Sequence, residues 1–224
     1  NYSLITGGGL CPLTASSSIT SAAVSPNFVT DRTVFITAGP NNPASLLCKS
    51  TDGGLNWTQL RAALTYNVSL SPLYDNAAPN GTLAKMLIVS DGSDFYRLRR
   101  SMDGGSSFVA IAPTDSFANA LPQFSPNFAL DGTLLVDDYY GTNGILRSSD
   151  YGVSFAPLGA ANPLGVRLVS GIYFAPGFDG RNTVNSVALA GTQGSGVWKS
   201  TDGGRSFNPL YGYETLSGAL SGLA

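Results

Sequence analysis

An all-β fold of four repeated units, each of about four short antiparallel strands, is the architecture this sequence predicts. Three observations predict it: a turn motif repeated four times, a second motif in step with it, and no helical apolar period of useful length. The first motif is Ser-x-Asp-x-Gly-x-x-aromatic. It runs from Ser50 to Trp57, Ser101 to Phe108, Ser148 to Phe155 and Ser200 to Phe207, with its aspartates 51, 47 and 52 residues apart. A basic residue precedes every copy: Lys49, Arg100, Arg147 and Lys199. The second motif is Ser25-Pro26-Asn27-Phe28, echoed at Ser71 to Tyr74, Ser125 to Phe128 and Ala175 to Phe178. A turn follows each, such as Asp31-Arg32-Thr33, Asn80-Gly81-Thr82 or Asp131-Gly132-Thr133.

Within one unit the elements follow from residue type. An apolar stretch such as Ile19 to Val24 or Val166 to Tyr173 reads as the first strand. Pro then ends it, because Pro cannot donate a ladder hydrogen bond. Thr33 to Thr37 and Thr133 to Val136 are rich in β-branched and apolar residues and read as the buried second strand. Ser45 to Lys49 reads as the third. The Ser-x-Asp motif is the hairpin connection to the fourth, since Asp bonds nearby backbone amides and Gly takes positive φ without steric cost. The closing Trp or Phe starts the fourth strand and covers the turn. Four short antiparallel strands per repeat make a propeller blade, which must stack on neighbours to bury both faces. The repeats are expected at about 14–60, 61–111, 112–158 and 159–210 of a single β-propeller or propeller segment.

The four turns resemble the Asp-box, or bacterial neuraminidase repeat, over nearly the whole chain. The third copy departs from the pattern, with Tyr151 in place of the first Gly. The resemblance implies that Asp52, Asp103, Asp150 and Asp202, with Gly54, Gly105, Gly152, Gly204, Trp57, Phe108, Phe155 and Phe207, shape turns on the outer rim, away from an axial site. It implies no single activity, because the motif recurs in sialidases, endoglucanases and non-enzymatic propellers. In style the chain is closest to secreted bacterial repeat proteins without assigned chemistry.

Composition narrows the function. Net charge is −2 and charged residues are 12% of the chain, so no cationic surface suited to nucleic acid is expected. No apolar run approaches the roughly 20 residues of a membrane helix. With no histidine, Ser-His-Asp catalysis and the common zinc sets are excluded; no metal or cofactor is expected. The single glutamate, Glu214, and the missing Arg-Ile-Pro motif argue against a sialidase. Asp91-Gly92-Ser93-Asp94 is short of a calcium loop and reads as a turn.

Asp137-Asp138-Tyr139-Tyr140 is the one cluster that breaks the repeat and combines acids with aromatics. Two carboxylates could cleave a glycosidic bond, but neighbours on a strand face opposite ways, so these two are not expected to act as a pair. Cys11 and Cys48 fit either a disulfide or two buried thiols. Asn80 is the best-placed glycosylation acceptor. The chain begins in what reads as the last strand of one blade and ends in what reads as the first of another. Part of a longer propeller is the leading explanation, ahead of a shared closing blade or completion by a second copy. The function expected is a non-catalytic, extracellular or cell-surface (or periplasmic) propeller that binds a protein or glycan or serves as a structural subunit. A glycoside hydrolase propeller, or part of one, is the alternative.

Overall fold

The computed structural model describes residues 11–13, 17–39, 46–92, 97–111, 121–138, 144–158, 163–164 and 168–210. The chain divides into two compact units, Asn1–Ala110 and Ile111–Ala224. In the first, β1 (Ser18–Val24), β2 (Val34–Gly39), β3 (Leu46–Ser50) and β4 (Thr58–Arg61) form one antiparallel meander. The strands β5 (Thr65–Leu70), β6 (Leu87–Asp91), β7 (Arg97–Ser101) and β8 (Val109–Ala110) form another. The second unit repeats the plan with β9 (Gln123–Phe124), β10 (Leu134–Asp137), β11 (Ile145–Ser148) and β12 (Ala156–Pro157). Its other sheet is β13 (Val169–Phe174), β14 (Ala188–Thr192), β15 (Val197–Ser200) and β16 (Asn208–Pro209). Each four-stranded meander is a propeller blade, and we number the blades one to four along the chain. Among the described residues, helix is confined to single turns, α1 (Phe28–Asp31) and α2 (Phe128–Asp131), and a 3-10 turn at Leu83–Lys85. The aromatics Trp57, Phe108, Phe155 and Phe207 stand just before the fourth strands rather than opening them.

The second strands are buried on both faces and the third strands largely so. In blade one, Phe35 and Leu47 pack with Val68, Tyr74, Leu87 and Val89 of blade two. Ile36, Ala38 and Cys48 point the opposite way, as the two-residue strand period requires, and pack with Trp57 and Cys11. Cys11 and Cys48 are disulfide-bonded there, with Cα atoms 6.2 Å apart. Blades three and four share a core of Leu135, Ile145, Ile172, Phe178, Trp198 and Phe207.

The structure reveals a period of two blades that the motifs conceal. In blade one, Asp31 accepts hydrogen bonds from Ser25 Oγ (2.7 Å), the Thr33 amide (2.9 Å) and the Asn76 amide of blade two (3.0 Å). In blade three, Asp131 does the same with Ser125 Oγ (2.6 Å), the Thr133 amide (2.8 Å) and the Gly180 amide of blade four (2.8 Å). The basic residue before the turn motif completes the clasp. Arg147 donates to the carbonyls of Gly180 (2.8 Å) and Gly203 (3.1 Å) in blade four, and Lys49 donates to Asn76 Oδ1 at 2.7 Å. Blades two and four carry Ala84 and Asn185 where blades one and three carry the aspartate, three residues before the second strand. Blades one and three, for their part, close the receiving position into a helical turn, where the Thr30 and Leu130 amides bond Asn27 and Asn127 carbonyls. Sender and receiver therefore alternate, and each compact unit holds one complete pair.

Candidate functional site

The four Ser-x-Asp turns are built alike. In the first, Gly54 N–H donates to Ser50 Oγ (2.8 Å), Ser50 Oγ donates to Asp52 (2.7 Å), and Asp52 accepts from the Leu55 and Asn56 amides at 3.0 Å each. Trp57 lays its ring over the turn and bonds the Gly54 carbonyl at 2.9 Å. Asp103, Asp150 and Asp202 repeat the arrangement, with Ser107, Ser154 and Ser206 hydroxyls replacing the Asn56 side chain at 2.6, 2.6 and 2.7 Å. The Asn56 amide and side chain hold Asp52 down to about 2. For the other three, burial pushes upward and the combined hydrogen bonds outweigh it, leaving each below its ordinary value. Every carboxylate oxygen is thus occupied within its own turn. Tyr151 adopts φ 60°, a left-handed conformation that Gly occupies freely in the other copies. Its ring packs edge-on against Phe128, with centroids 5.6 Å apart.

Of the sequence candidates, Asp137 is the last residue of β10 and Asp138 follows it, and the two lie in different surroundings. Asp138 is buried and occupies the blade position of Asp91, since each lies four residues after the first residue of its second strand. Asp91 is fully buried and paired with Arg61 at 2.7 Å and with Arg99. Asp137 instead lines a cavity of about 510 Å³ with Leu121, Gln123, Val169, Ser170, Gly171, Ile172, Tyr173 and Gln193. Tyr139 and Tyr140, Ser93 and Asp94, and Glu214 lie outside the described residues, as do the chain ends. Asn80 is exposed, in the turn before Gly81.

The cavity sits between the first strands of blades three and four, at the end opposite the Ser-x-Asp turns. The register fixes this. Leu134 pairs with Ser148 at the turn end, and Asp137 pairs with Ile145 at the other; Ala188 pairs with Ser200, and Thr192 lies at the far end beside Gln193. A β-bulge at Ser170 interrupts the ladder at the cavity wall, and the first strands of blades one and two carry the same irregularity at Thr20 and Tyr66. Burial pushes the Asp137 carboxyl up to about 6, reinforced by Asp138 and opposed by hydrogen bonds from its own amide and that of Leu121.

A raised carboxyl in the folded state favours the protonated form. Asp137 therefore costs stability increasingly as pH rises from its unfolded value of 3.8 through about 6, and the full cost is present above that. Asp137→Asn is expected to raise stability at pH 7 by on the order of 1–3 kcal/mol, and to change nothing at pH 3. Thermal melts of both proteins at the two pH values check this; equal melts at pH 7 would show that Asp137 is not held under this strain.

No protein-family model matches the chain, and neither does any curated protein. Solved structures do match. An ancestral GH74 enzyme aligns over 90% of this chain and 26% of its own, with a TM-score of 0.59 at 16% identity. The GH74 xyloglucanase from Xanthomonas campestris aligns over 85% of this chain and 29% of its own (TM-score 0.55, 16% identity). Nidogen or its partner, from a nidogen/laminin complex, aligns over 84% of this chain and 63% of the matched one (TM-score 0.54, 14% identity). The chain spans less than two-thirds of each of these structures. At this identity the likeness shows a shared fold, and with the four four-stranded sheets it makes the chain an all-β propeller segment.

Proposed function

We propose that this chain is a non-catalytic binding module, that its four Ser-x-Asp turns are Asp-boxes serving the scaffold, and that its ligand enters the cavity between blades three and four. The observation that carries the reading is the solitary acid: among the described residues lining the cavity, Asp137 is the one carboxylate. Glycoside hydrolysis by paired carboxylates requires a second, about 5–10 Å away. Fold does not choose the role, since the structures it resembles include a xyloglucanase and a protein of the nidogen/laminin complex. The Cys11–Cys48 disulfide supports an oxidising compartment, hence secretion or display outside the cytoplasm.

The test is turnover. Purified protein incubated with xyloglucan, other β-glucans and sialylated glycans is expected to release no reducing ends or sialic acid above an Asp137→Asn control. Turnover that Asp137→Asn abolishes would overturn the proposal in favour of a glycosidase.

A further inference from the structure

We propose that the cavity between blades three and four is a site for a neutral saccharide of one or two sugar rings. This rests on the binding-module reading above and assigns its ligand class. Blades one and two hold the same positions in the same register: Ala23 corresponds to Gln123, Thr37 to Asp137, and Gly92 to Gln193. Gly92 and Gln193 N–H groups even bond equivalent carbonyls, those of Leu64 and Leu168. In the first unit hydrogen bonds bridge the two blades at these positions. Thr37 Oγ1 donates to the Tyr66 carbonyl at 2.8 Å, and Thr20 Oγ1 reaches the same carbonyl at 3.0 Å. In the second unit three small or short side chains have become a carboxylate and two carboxamides, and the space they surround is open. The first unit bridges its two blades here with threonine hydroxyls, whereas the second places longer polar groups around a cavity.

The chemistry of the lining selects the ligand. No cationic side chain is among the described lining residues, so an anion would meet Asp137 without compensation. Asp137, Gln123 and Gln193 are planar groups that together carry both donors and acceptors. Asp137 accepts from the Leu121 amide and Gln123 Nε2 donates to the Leu121 carbonyl at 3.4 Å, which anchors both at the wall and leaves their remaining lone pairs and N–H for adjacent hydroxyls. The volume of about 510 Å³ falls within the ordinary range of small-molecule pockets. One wall supplies an apolar plane. A Cβ on Gly171 would lie 3.0 Å from Cε2 and the hydroxyl of Tyr173, so the missing side chain lets that ring lie back against β13. Gly171 has no left-handed backbone to explain it; the ring it accommodates does. An aromatic plane beside hydrogen-bonding groups offers a sugar ring both its apolar face and its hydroxyls a partner.

The experiment is calorimetric titration of the intact chain with cellobiose, lactose and N-acetylglucosamine, and separately with cadaverine as a cationic probe. At least one neutral sugar is expected to bind, with affinity lowered roughly tenfold or more, about 1.4 kcal/mol, in Gln193→Leu and in Gly171→Ala. Val153→Ser, at the opposite end of blade three, is expected to bind as the parent does. Gln193→Leu tests the site without touching the strand backbone, should Gly171→Ala perturb folding. Binding of cadaverine through Asp137 with no sugar bound would overturn the saccharide assignment and leave the binding-module reading standing. Sugar bound and hydrolysed would do the reverse. No binding of either probe, or sugar binding indifferent to both variants, would remove the site as a saccharide site.

Discussion

Asp131→Ala is expected to destabilise the Ile111–Ala224 unit by about 3–5 kcal/mol. Asp131 is 6% exposed, and its carboxylate accepts three hydrogen bonds, one of them from the next blade. Its removal leaves the Thr133 and Gly180 amides buried without acceptors, each costing about 1–3 kcal/mol. It also removes the opposing charge beside Arg147, whose guanidinium is already disfavoured by burial. Asp31→Ala removes the equivalent bonds in the first unit but from a half-exposed site, so a smaller loss of about 1–2 kcal/mol is expected. Chemical denaturation of the three proteins gives the totals, and hydrogen exchange at the Gly180 amide locates the effect. Unchanged protection of Gly180 would show that the clasp does not hold the blades together; equal losses at Asp31 and Asp131 would show that burial does not set the size of the loss.

Gly180→Ala is expected to be comparably severe, about 3–5 kcal/mol, for a steric reason. A Cβ there would stand 2.6 Å from the Thr133 Cβ of the preceding blade, and both residues are buried. A backbone-attached carbon cannot rotate away, so the two blades would have to part and stretch the Asp131 and Arg147 bonds to Gly180 together. Relief by Thr133→Gly would identify the cause: the double variant should regain stability relative to Gly180→Ala alone. If Gly180→Ala folds with parental stability, the close approach of blades three and four at this point is wrong. Gly177→Ala, where a Cβ meets nothing within 4 Å, is the matching neutral substitution.

These two predictions concern residues whose importance was only half visible in the chain. Asp31 and Asp131 stood out as turn formers in the second motif. That their carboxylates serve the following blade required knowing which backbone amide comes near. The basic residue before each turn was evident from its recurrence, yet its partners, Gly180 and Gly203 for Arg147, lie 33 and 56 residues away. Distance in sequence hides such partners because hydrogen bonding depends on position in space alone.

The cavity was legible to a similar degree. Asp137 and Asp138 drew notice because they interrupt the repeat, and strand alternation already set them on opposite faces. Which of them faces the cavity depended on strand register, which a repeat of period two leaves open by one residue. Gln123, Gln193, Gly171 and Tyr173 carried no signal of their own. Aligning the blade pairs at 100-residue spacing, rather than single blades at about 50, would have exposed Gln123 against Ala23 and Asp137 against Thr37.

The all-β class, the four-stranded repeat and the Ser-x-Asp turns were determined by sequence alone. Their causes are local: turn residues with particular backbone freedom, β-branched strands, and hydrogen bonds spanning four residues or fewer. The tertiary structure decided what is non-local, namely the alternation of sending and receiving blades, the Cys11–Cys48 bond and the cavity at Asp137. Each depends on which parts of the folded chain meet in space; residues far apart in sequence set that together, and no local pattern specifies it.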